Sequence, residues 1–122
     1  MGNAEYDYDV VIKKESLIEA INRLSLFFTR DDAKTYSTLF FGADKVDICF
    51  GYDRTLDKNN SETIMYANQI EGLDATIILD VVMLKNLIEG LSDETITISF
   101  SANSNCVVVK SHDVVNIIPK CS

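Results

Sequence analysis

The chain runs through one order of elements twice, and that repetition restricts its fold more than any other feature. Residues 7–13 (DYDVVIK) alternate apolar and polar side chains and read as a strand. Residues 15–28 read as an amphipathic helix, because Leu17, Ile18, Ile21, Leu24 and Phe28 fall within about 100° on a wheel of 3.6 residues per turn. Strands are predicted at 35–41 and 46–51, joined by the turn Gly42-Ala43-Asp44-Lys45. A polar loop over 53–61 leads to a strand at 62–70. The order then starts again with a strand at 75–79 (ATIIL). Asp80 follows as a helix N-cap, since its carboxylate can accept from the free amides of a first turn. Val81, Leu84, Leu87, Ile88 and Leu91 form the apolar stripe of the second helix, with Gly90 near its end. Strands at 95–100, 106–110 and 114–118 close the chain, with turns at 103–105 and 111–113.

The reading is therefore βαβββ, twice. Leu17, Ile21, Leu24 and Ser25 correspond to Leu84, Ile88, Leu91 and Ser92 at a constant offset of 67, a faint match because Leu and Ile are common. Two such units place two helices side by side on one face of antiparallel sheets, an α+β layer arrangement. The pseudo-repeats are expected at 7–70 and 74–120 of one domain spanning 7–122. Residues 1–6 read as a disordered leader or a cloning remnant.

A length of 122 residues suits one domain with a core of its own. Hydrophobic residues are 47% of the chain, with one proline and five glycines, which is an ordered composition rather than a disordered one. No apolar run approaches the roughly 18 residues of a membrane span, so no membrane partner is expected. The net charge of -8 argues against a generic phosphate binder, because such binding runs on Lys and Arg; any DNA contact must be local or topological. Cys49, Cys106 and Cys121 show no metal or redox spacing. Their odd number, with no secretion signal, points to a reducing, cytoplasmic setting.

Catalytic chemistry is not evident. The carboxylate pairs Asp31-Asp32, Asp44/Asp47 and Asp53/Asp57 fall in turns or hairpins, where Asp bonds the local backbone. The run Asp53, Thr55, Asp57, Asn59 superficially matches a calcium loop, but it lacks the Gly at its sixth position and has Ile64 at its twelfth. His112, the one histidine, sits in a predicted turn. No phosphate-cradling glycine loop or zinc spacing is present. The expectation is a binding module, not an enzyme, with no cofactor and no metal.

Residues 76–99, TIILDVVMLKNLIEGLSDETITIS, resemble the strand, capped helix, acidic turn and strand of the bacterial DNA polymerase III beta subunit. The tail segment 115–120, VNIIPK, resembles the closing strand of that family, with Pro119 in the matching place. Residues 25–50 resemble the helix end, charged turn and hairpin of the same sliding clamps. The likeness runs over about residues 8–120 and rests on the ordered series, strongest toward the family's C-terminal third domain. It implies a clamp domain in a homo-oligomeric ring that encircles duplex DNA and holds a polymerase to it. It also implies a groove for short peptides of DNA polymerase, clamp loader and repair proteins. By position that groove involves Asp80, Met83, Ser104, Asn116, Ile117, Ile118, Pro119 and Lys120, a set of apolar anchors with a few polar groups. The helix residues implied to face DNA are Lys14, Arg23 and Lys85.

The sequence departs from the family's pattern at several of these positions. Asp80 stands where the family has Asn, Met83 where it has Tyr, and Lys120-Cys121-Ser122 replace a tail ending in Leu. Either the polymerase-type peptide binds poorly or a different peptide binds. One domain also cannot close a ring alone, so the expectation is either a piece of a longer clamp or a single-domain relative. A stand-alone, phage-type adaptor that binds a replication or transcription protein without encircling DNA is the rival reading.

Overall fold

Period-two alternation of apolar side chains forms the strands, and 3.6-residue stripes form the helices. The structure, a computed structural model, describes residues 8–27, 36–51, 56–101, 106–111 and 114–119. In chain order the elements are β1 (Tyr8–Lys13), α1 (Lys14–Leu24) with a 3-10 turn at Ser25–Phe27, β2 (Tyr36–Phe41), β3 (Lys45–Phe50) and β4 (Asp57–Met65). The second half repeats them as β5 (Ala75–Asp80), α2 (Val81–Glu89), β6 (Thr95–Phe100), β7 (Cys106–Ser111) and β8 (Val114–Pro119).

The strands form two antiparallel sheets, ordered β1-β6-β7-β8 and β4-β3-β2-β5. The first strand of each repeat thus leaves its own unit and joins the sheet of the other. The exchange is symmetric in register. Lys13 lies opposite Thr95 and Tyr8 opposite Phe100, while Asp80 lies opposite Tyr36 and Ala75 opposite Phe41. The β1–α1 and β5–α2 units are offset by 67 residues, and β2 and β6 by 59, so each of the four pairings has its counterpart in the other sheet. Neither repeat has a complete sheet without the other.

The two helices pack against each other, which places them on one side of the sheets. Leu17 and Ile21 of α1 and their counterparts Leu84 and Ile88 of α2 are buried in one core with Val10, Ile12, Ile77 and Leu79. Each of these aliphatic side chains contributes about 1.5–3 kcal/mol when removed from water.

Sequence reading and structure part at the fourth strand. The predicted strand at 62–70 is instead Asp57–Met65, so half of the predicted polar loop is strand. Asn59 and Ser61 sit on an edge strand, where polar side chains are tolerated because one side faces water. After Met65 the chain leaves β3 and binds elsewhere. Tyr66 N donates to Asp44 O at 2.9 Å, Ala67 N to Val11 O at 2.7 Å and Ile70 N to Ala43 O at 2.8 Å. Gly72 then turns the chain at φ 80°, a conformation glycine adopts without steric cost. The first helix also ends earlier than predicted. Ser25 Oγ donates to Asn22 O at 2.7 Å, a local bond that competes with helix continuation, and the α-helix gives way to the 3-10 turn there. Phe28, Asp31-Asp32, Asp53, Thr55, His112 and Cys121 lie outside the described residues, as do the leader and the 103–105 turn.

Candidate functional site

Asp80 is the last residue of β5 and the N-cap of α2. Its Oδ1 accepts from Val82 N at 3.0 Å and Met83 N at 3.2 Å, so two first-turn amides are satisfied and the helix start is fixed. Met83, in that first turn, is 46% exposed. α2 packs on β8, which is an edge strand, so the helix start and this edge form one continuous surface.

Strand alternation divides the β8 residues between two faces. Ile118 is fully buried, opposite Val107 in the core under the helices, and Asn116 is half-buried on the same side. Ile117, opposite Val108, faces the other way and is 65% exposed, with Pro119 exposed beside it. The structure therefore brings Asp80, Met83 and Asn116 to the helix side, puts Ile117 and Pro119 on the outer side, and withdraws the Ile118 side chain into the core. Ser104 and Lys120 lie outside the described residues. Sequence reasoning passed over Val115, which is 61% exposed in line with Ile117. The alternation in VVNII carried that signal, because Val115 and Ile117 share the face opposite Ile118. Two exposed β-branched residues on an unpaired edge form an apolar surface suited to an extended partner.

The three cations expected on the helix face have different surroundings. Lys14 Nζ donates to Leu91 O at 2.5 Å, closing the C-terminal end of α2 from α1. Arg23 Nε pairs with Glu62 Oε1 at 2.7 Å. Lys85 is half-buried and makes no hydrogen bond or ion pair among the described residues. The exposed acids Glu15, Glu19 and Glu89 share this side of the molecule. Among the described residues no group of three or more His, Cys, Asp and Glu is placed to hold a metal ion, and no helix is long and apolar enough to cross a membrane.

Among the described residues one titrating group is displaced. Burial pushes the Tyr66 phenol above its ordinary value of 10.0; Asp44 and Asp47 act in the same direction, and the backbone near Gly42 offsets part of the shift. The Tyr66 hydroxyl has no hydrogen-bond partner among the described residues.

Two exchanged βαβββ units with paired helices on one side are the fold of a single domain of a DNA sliding clamp. Solved bacterial clamps superpose on nearly the whole chain. A putative DNA polymerase III beta subunit from Eubacterium rectale matches with TM-score 0.79 at 16% identity, covering 98% of this chain and 31% of that one. The Pseudomonas aeruginosa sliding clamp with ligand matches with TM-score 0.80 at 14% identity, covering 98% and 32%. The Helicobacter pylori beta clamp bound to a DNA ligase peptide matches with TM-score 0.74 at 14% identity, covering 94% and 31%. The chain thus spans about a third of the length of these clamps. No protein-family profile matches the sequence, and no curated protein matches it.

Proposed function

We propose that the chain acts as a sliding-clamp domain in DNA polymerase processivity, contributing to a DNA-encircling ring and docking extended peptides of polymerase, loader and repair partners. The observation that supports this reading is the superposition of nearly the whole chain on one third of bacterial clamps, one of which is bound to a DNA ligase peptide. The docking surface is the β8 edge with the start of α2: Asp80, Met83, Asn116, Ile117 and Pro119, extended by Val115, with Ser104 and Lys120 assigned by position. Ile118 supports this surface from the core rather than lining it. Lys85 is the best-placed DNA-facing cation, with Lys14 and Arg23 held by internal partners.

Titration of a fluorescein-labelled DNA ligase clamp-binding peptide tests the docking surface. Met83→Asp and Ile117→Asp are the informative variants, because both side chains are exposed and the fold does not depend on them. Each is expected to weaken binding by about tenfold or more, as a charge placed on a desolvated apolar contact does. Affinity unchanged in both removes the assignment.

A second reading has its own support. Glu15, Glu19 and Glu89 are exposed on the helix side while Arg23 is neutralised by Glu62, which suits an adaptor that does not surround DNA. Retention on nicked circular DNA separates the two. A clamp is retained and slides off when the circle is linearised, whereas an adaptor is retained on neither form.

A further inference from the structure

We draw no further inference here: the strongest candidate, the open β8 edge with Val115 and Ile117 exposed along it as a pairing surface for a second copy of the chain, belongs to the docking surface already described, and nothing in the structure shows what covers it.

Discussion

Phe41 and Phe100 are 59 positions apart in the sequence, end equivalent strands of the two repeats, and meet with ring centroids 4.7 Å apart and planes tilted by 43°. Both rings are buried, and Phe100 also packs on Tyr8 at 5.5 Å. The last residues of β2 and β6 therefore meet each other across the junction of the two sheets. That contact joins sheets which share no backbone hydrogen bond in the strand order.

Removing either ring is expected to lower stability by about 3–5 kcal/mol, the usual range for a buried Phe→Ala change. In a double-mutant cycle the two rings should couple by about 0.5–1.5 kcal/mol beyond their separate burial. Chemical denaturation of the Phe41→Ala, Phe100→Ala and double variants measures this. Strict additivity would show that the contact does not hold the sheets together.

Asn68 closes the outer edge of β1. Its Oδ1 accepts from Val11 N at 3.1 Å and its Nδ2 donates to Asp9 O at 2.9 Å, beside the backbone bond from Ala67 N to Val11 O. An edge strand left open is a template for unwanted pairing, and a carboxamide that supplies both a donor and an acceptor seals it. Asn68→Ala is expected to destabilise the domain by about 1–2 kcal/mol. Native-state hydrogen exchange should show the Val11 amide among those most accelerated.

The two helix starts predict opposite responses to capping mutations. Asp80→Ala should cost about 1 kcal/mol and Asp80→Asn much less, since Asn caps almost as well. Lys13→Asp should stabilise by about 0.5–1 kcal/mol, because it supplies the cap that α1 lacks. Thermal denaturation of the three variants, referred to the wild type, checks the signs.

Tyr66 predicts a loss of stability in alkali. Its phenol titrates higher in the folded chain than the ordinary 10.0 of the unfolded one, with burial as the main cause. Below about pH 10 both states hold the proton and the group's contribution is intact. As pH rises above that, the unfolded chain releases the proton while the folded one retains it, so stability falls until the folded phenol also titrates. Tyr66→Phe should abolish this part of the alkaline decline. At neutral pH it should be close to neutral, since the hydroxyl it removes has no described partner. Urea midpoints measured for both proteins between pH 8 and 11 decide it.

The helix stripes were legible because Leu17, Ile21, Leu84 and Ile88 recur at helical spacing and each is buried. Asp80 as a cap was legible because capping is a local property of one residue and the three that follow it. The end of β4 was not, because the 66–70 segment is apolar enough to continue a strand, and only distant backbone groups on β1 and the β2–β3 turn draw it away. The same separation applies to the candidate site. Position in the sequence selected Met83 and Ile117, which are exposed, and equally selected Ile118, which is not. Which of two adjacent isoleucines faces inward depends on the register of β8 with β7, a relation a single strand does not contain.

The sequence by itself determined the two βαβββ units, their offset, their apolar faces and their net acidity, because each follows from the spacing of side chains along one segment. Only the tertiary structure decided that β1 and β5 change places between sheets, and that Arg23 meets Glu62 and Lys14 meets Leu91. The two side-chain pairings alone join residues 39 and 77 positions apart. They form because backbone and charged groups withdrawn from water must find partners, and those partners are set by how the two repeats pack and not by either repeat alone.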